Sequence, residues 1–161
     1  MRDTKGFTLV ELLAVITILG LLGVIALEAI ESINRGNREK AEAVQRQNIL
    51  TAAISYVPTS DVNLPTVIYG TSGCVSHKYS SSGTSEASGE VCEVQITLDY
   101  LVKEGILEEK IDNPLTGEYI NMSSSYVKIQ YVTNSNLSTI SEERKDLGKF
   151  DGNYFYELVY Q

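Results

Sequence analysis

Glu11 is the residue whose chemistry most needs an account. It stands in "KGFTLVELLAVITILGLLG", residues 5–23, a stretch otherwise made almost wholly of apolar side chains, glycine and threonine. A carboxylate near the middle of a membrane helix costs ~2.5–3.5 kcal/mol even on lenient insertion scales. As a helix rising ~1.5 Å per residue, the apolar run over residues 7–30 is ~36 Å long, more than the ~30 Å hydrocarbon core of a bilayer. Glu11 lies one turn from Phe7, so in a spanning helix it sits near one interface, where the cost is smaller. A second carboxylate, Glu28, stands near the far end of the run.

Few other residues are spaced for chemistry. His77, the one histidine, sits beside a serine-rich tract with no nucleophile-elbow context, so the sequence predicts no catalytic residues and no enzyme. Asp112 and Asn113 could offer oxygens to a cation, but no EF-hand spacing accompanies them and turn formation accounts for both. No metal and no cofactor are expected. Asn121-Met122-Ser123 and Asn136-Leu137-Ser138 match glycosylation triplets, which arise often by chance. Cys74 and Cys92 are the two cysteines. Lying beyond a membrane-type segment, they suit one disulfide in an oxidising compartment, worth ~3 kcal/mol in the chain-entropy model. Two buried thiols are the alternative, and the spacing excludes a CxxC site.

The elements that must position these groups begin with the apolar run. Its length is too great for a secretory h-region, and Ala41-Glu42-Ala43 comes too late to serve as its cleavage site. No cysteine near the start offers a lipid attachment point. Arg2 and Lys5 precede the run while Arg35, Arg38 and Lys40 follow it, so charge alone leaves the orientation open. The run passes into a helix expected to continue to Pro58, with an apolar face at Ala41, Val44, Ile49, Leu50, Ala53, Ile54 and Val57. Glu31 with Arg35, and Glu42 with Arg46, are spaced for helical ion pairs. Asn34, Gly36 and Asn37 are poor helix formers and mark its weakest stretch.

Beyond Pro58 the pattern predicts loop, a short extended piece over residues 66–69, and a flexible Ser/Gly tract. A short helix is expected over residues 96–103, stopped by Gly105. A turn follows at residues 112–117. Strands rich in Tyr, Val and Ile are expected over residues 118–122, 126–133 and 153–160, with a polar loop over residues 134–152. The fold class read from this order is α+β: a long N-terminal helix packed on an antiparallel sheet. The 161 residues allow one anchor and one head. A net charge of −8 argues against direct nucleic-acid binding.

The stretch "KGFTLVELLAVITILGLLG" resembles the prepilin signature of type IV pilins and their pseudopilin relatives. That resemblance implies a pilin fold. It also implies removal of residues 1–6 as a leader by a membrane-embedded prepilin peptidase, with cleavage between Gly6 and Phe7 and N-methylation of Phe7. With Arg2 and Lys5 keeping the leader cytoplasmic, the head faces outward. Glu11 would attract the free α-amine of Phe7 on a neighbouring subunit and so guide assembly and register. A second stretch, "YLVKEGILEEKIDNPLTGEY", is similar to the helix-then-turn segment of several pilins and major pseudopilins. Many pilins carry proline where this chain has Glu28; Gly20 and Gly23 are left to loosen the helix. Glu28 then reads as an end-of-span residue or as an intersubunit ion-pair partner of Arg35 or Arg38.

The resemblance implies three segments: leader (1–6), transmembrane and polymerisation helix (7–30), and head (31–161). It implies a pilin, major or minor, held in the cytoplasmic membrane and polymerised with like subunits into an extracellular fibre by an assembly ATPase and a platform protein. A pseudopilin of a type II secretion or competence DNA-uptake system is the alternative. A membrane-tethered binding domain that never polymerises is the second.

Overall fold

The computed structural model describes residues 8–161. Helix α1 runs Leu9–Tyr56 and is followed by a 3-10 turn, Val57–Thr59. Pro58 ends the helix as the sequence predicts, and the weak stretch around Gly36 stays helical. The chain divides into two compact units, one ending at Lys40 and the other spanning Ala41–Gln161.

The first unit is helix alone. Every large apolar side chain from Leu9 to Leu27 is 46–81% exposed, because the sequence places apolar residues all round the helix and the unit supplies nothing to cover them.

The second unit holds the last turns of α1 and a six-stranded sheet of order β2-β1-β3-β4-β6-β5. The strands are β1 (Val75–Ser80), β2 (Gly83–Ser85), β3 (Val91–Thr97), β4 (Tyr126–Tyr131), β5 (Lys149–Asp151) and β6 (Tyr154–Val159). Helix α2, Leu98–Lys103, follows β3, and helix α3, Glu142–Leu147, precedes β5. The α+β class holds, but the sheet is mixed rather than antiparallel: β1 and β3 run parallel, with Val75 opposite Val91 and His77 opposite Val94. β3–β4, β4–β6 and β5–β6 are antiparallel. The parallel pair arises inside the Ser/Gly tract, which folds into the β1–β2 hairpin and then returns to start β3 beside the start of β1.

Alternation along the strands sorts the two faces. Val94, Ile96, Val127, Ile129, Tyr156 and Leu158 are buried together with Ile49, Leu50, Ala53 and Val57 of α1 and with Leu98 and Leu101 of α2. Ala41 and Val44, expected on that face, are instead exposed, Val44 to 61%. The opposite face carries a polar network. Glu93 accepts from Gln95 and Gln130, Gln130 accepts from Arg144 of α3, and Arg144 with Lys128 grips Glu157. Burial would raise the Glu157 carboxyl, but hydrogen bonds from Arg144 and Lys128 hold it below the ordinary carboxylate range.

Local chemistry explains the ends of the elements. Gly105, at φ +75°, closes α2 in a Schellman arrangement: its N–H donates to Val102 and the N–H of Ile106 donates to Leu101. Residues 118–122 do not form a sheet strand. They fold back on their own turn, with a single bridge from Tyr119 to Asp112, because β4 already has a partner on each side. The stretch read as a polar loop contains α3 and β5, and Ser141 caps α3 by accepting from the Arg144 N–H. The extended piece at residues 66–69 is not a strand, although Thr66 and Val67 both donate to the carbonyl of Val91.

Candidate functional site

The site of interest is the beginning of α1. Thr8 stands just before the first helical residue, and three hydrogen bonds link it to Glu11. The Thr8 backbone N–H donates to Glu11 Oε2 at 2.9 Å, the Thr8 hydroxyl donates to the same oxygen at 2.8 Å, and the Glu11 N–H donates to Thr8 Oγ1 at 3.3 Å. This is the reciprocal arrangement of a capping box, in which two otherwise unpaired N–H groups at a helix start are satisfied together. The carboxylate therefore has partners in its own chain, and its negative charge lies at the positive end of the helix dipole. The sequence reading overlooked Thr8, although a threonine three residues before a glutamate at the head of an apolar run is the capping-box signature. Gly6 and Phe7, expected to flank the cleaved bond, lie outside the described residues.

Below this cap, α1 is long and apolar enough to cross a membrane. Thr17 turns its hydroxyl back onto the Ala14 carbonyl at 2.8 Å, so its polar group is satisfied within the helix.

The apolar face gives way at Glu28 to charge. Glu28, Glu31, Arg35 and Arg38 are all exposed. Arg35 pairs with Glu39 at 3.0 Å rather than with Glu31. Residues 1–40 carry five acidic and five basic side chains, so the net −8 of the chain resides in residues 41–161.

In the second unit Glu42 and Arg46 form the expected pair, with Arg46 Nε donating to Glu42 Oε1 at 3.0 Å. Arg46 also donates to the Leu158 carbonyl and lies 4.8 Å over the Tyr160 ring. Cys74 and Cys92 are bonded, with Cα atoms 5.6 Å apart. They stand at the starts of β1 and β3, and the parallel pairing of those strands brings them together.

His77 is buried on β1, its Nε2 3.1 Å from the Ala87 carbonyl and its Nδ1 without a partner among the described residues. Asp112 lends its backbone carbonyl to Gln45. The Asn136 side chain is spent on Thr133 and the Tyr131 carbonyl, and that of Asn121 folds onto Ser123 and Ser124. Among the described residues no group of three His, Cys, Asp or Glu side chains is arranged to hold a metal ion.

Residues 1–27 match the family described as the prokaryotic N-terminal methylation motif, the type IV prepilin signature. The match covers the capped, apolar start of α1 and none of the head. It supports a pilin-like or pseudopilin precursor, a structural type of protein that is processed by prepilin peptidase and polymerises with its own kind. The apolar helix and the motif together fit a membrane-anchored pilin. No curated protein and no solved structure matches the chain.

Proposed function

We propose that the chain is a structural subunit, major or minor, of a type IV pilus. Residues 1–6 are a leader cut off between Gly6 and Phe7, after which Phe7 is methylated. Residues 7–30 are the membrane span that later becomes part of the fibre core, and residues 31–161 are the head. An assembly ATPase and a platform protein extract the subunit from the cytoplasmic membrane, and the head ends on the outer surface of an extracellular fibre.

One observation carries this reading: an apolar helical surface with no cover from its own unit, headed by the Glu11 carboxylate, in a chain whose residues 1–27 match the prepilin signature. Lipid covers that surface before assembly, and like helices cover it afterward. Fully burying a Leu, Ile or Val side chain is worth ~1.5–3 kcal/mol, so replacing lipid by like helices keeps the surface out of water. Once the leader is gone, the Phe7 amine gives Glu11 a cationic partner on a neighbouring subunit. A buried charge is tolerated when paired, and removing one partner strands the other. Glu28 with Arg35 or Arg38 supplies a second intersubunit contact.

Two measurements test it. Mass spectrometry of the mature chain should find a methylated Phe7 terminus; an intact Met1 on functional protein contradicts the reading. Glu11→Ala should be processed normally yet give at least tenfold fewer fibres. A product confined to the cell wall, rather than a long surface filament, would move the assignment to a pseudopilin of a secretion or DNA-uptake system.

A further inference from the structure

At one end of the sheet the second unit leaves a cleft of about 540 Å³, walled by residues 132–134 at the end of β4, by Leu137, by Phe150 of β5 and by residues 152 and 153 of the β5–β6 turn. Strand register brings these walls together. Tyr131 stands opposite Tyr154, and one residue further the Val132 N–H donates to the Asn153 carbonyl at 2.7 Å. Phe150 stands opposite Phe155, with ring centres 4.9 Å apart. Phe155 is in turn buried with Val132 and Ile140 in a small cluster on the α3 side of the sheet. Phe150 and Leu137 stay 42% and 37% exposed.

The walls are fixed from behind. Asn136 accepts from the Thr133 N–H at 2.6 Å and donates to the Tyr131 carbonyl at 3.2 Å, which anchors the 3-10 turn that carries Leu137. These bonds use the side chain of Asn136 and the backbone of Asn153. They leave the exposed side-chain amides of Asn134 and Asn153 without a partner among the described residues.

We propose that this cleft binds a neutral hexopyranose unit of a saccharide. No residue that lines it is ionisable, so it offers no counter-charge to a phosphate, a carboxylate or an ammonium group on a ligand. A fatty chain or a flat aromatic ring would press against the amides of Asn134 and Asn153 and leave them unbonded, which is unfavourable. A pyranose suits both kinds of wall. One of its faces carries C–H groups, which lie against the negative face of an aromatic ring such as that of Phe150. Its rim carries hydroxyls that donate and accept. Each asparagine amide has an acceptor oxygen and two N–H donors, enough to hold two neighbouring hydroxyls. The volume falls within the ~300–1,000 Å³ of small-molecule sites, and walls already set by strand pairing need little ordering on binding. The inference uses the second unit alone, so it stands apart from the filament reading.

The test is saturation-transfer NMR on the full-length chain in a zwitterionic detergent without a sugar head group. Maltotriose, chitotriose and lactose serve as separate probes. At least one should receive saturation, most strongly at the C–H protons of one pyranose face. The one that binds tells the source: a glucan for maltotriose, an amino-sugar polymer for chitotriose, a galactose-ended glycan for lactose. Asn134→Ala with Asn153→Ala in one chain should weaken binding at least fivefold while the thermal unfolding midpoint stays unchanged, since neither side chain is bonded within the fold. Phe150→Ala should weaken it at least as much, and Phe150→Tyr should keep it. Three results overturn the proposal: no transfer to any neutral probe, equal binding by the asparagine variant, or tighter binding of the cationic chitosan trimer than of every neutral probe. Absence of sugar binding together with loss of fibres in the asparagine variant would assign the cleft to a neighbouring copy and likewise overturn it. The binding readout needs no fibre, so its failure is distinct from failure of the filament reading.

Discussion

Arg46 lies with its guanidinium 4.8 Å over the Tyr160 ring while its Nε donates to Glu42 at 3.0 Å, so one cation joins the last turns of α1 to the end of the chain. Glu42 is 7% exposed, and the Arg46 side chain is only slightly more open. Arg46→Ala leaves that carboxylate buried without a counter-charge, a change that typically costs ~3–5 kcal/mol. Denaturant unfolding of the full chain in detergent, followed by tyrosine near-ultraviolet dichroism, should show that loss. Removing both partners as Glu42→Leu with Arg46→Met should recover most of it, because the stranded charge is gone.

The disulfide predicts a second stability effect. Replacing Cys74 and Cys92 by serine frees a closed loop with a sequence separation of 18, worth ~3 kcal/mol. The midpoint of thermal unfolding should fall by several degrees, and limited proteolysis should begin within the serine-rich hairpin. An unchanged midpoint would show that the parallel strand pair holds its own register.

Gly148 offers a sharper steric test than the positive-φ glycines. A Cβ there would lie 2.3 Å from the Phe155 ring and 2.7 Å from the Tyr156 carbonyl, both fixed parts of β6. Gly148→Ala should therefore cost ~1–3 kcal/mol by overpacking. At Gly105 the open surroundings leave only the backbone conformation to oppose alanine, so Gly105→Ala should cost ~1 kcal/mol.

Acid should loosen the α3 side of the sheet. Arg144 and Lys128 hold Glu157 below the ordinary carboxylate range despite its burial, so the folded protein binds this proton more weakly than the unfolded chain does. Its contribution is complete above the unfolded value of ~4.3 and disappears as pH falls through the lower folded value. Stability should hold from pH 7 to about 5 and decline below about 4. Glu157→Gln should cost ~2 kcal/mol at pH 7 and flatten the acid limb, which a series of denaturant midpoints at fixed ionic strength would reveal.

Thr8 yields the last prediction. Thr8→Ala removes the hydroxyl that both donates to Glu11 and accepts its N–H, a cap loss of about 1 kcal/mol. Fibre yield should drop, and Thr8→Ser should keep it. Equal yields from the alanine and serine variants would show that assembly does not need the cap.

The sequence revealed those parts of the molecule in which one local signal decides the outcome. The apolar run, the helix end at Pro58, the Gly105 cap, the pairing of Glu42 with Arg46, and strands β4 and β6 each rest on short-range chemistry. What it hid was tertiary. The Ser/Gly tract looks like a linker, but β1 pairs with both β2 and β3. The residues of β3 are buried apart from the half-buried Gln95 and so lack strand alternation, and its last two, Ile96 and Thr97, fall in the helix expected over residues 96–103 although α2 starts only at Leu98. Residues 118–122 have strand composition but found the sheet positions occupied. Helix α3 was legible and overlooked: Ser141, with Glu142 and Glu143 behind it, is an N-cap followed by an acidic first turn. At the candidate site, Glu11 was conspicuous because it breaks a pattern, whereas Thr8 passed as one more tolerated threonine.

The two outermost strands, β2 and β5, are each only three residues long. Long flat margins invite sheets to zip together into cross-β aggregates, and such short ones offer a neighbour almost no ladder to extend. In the proposed fibre, heads with margins this brief could lie shoulder to shoulder without zipping into one another, leaving the stems to hold the subunits together.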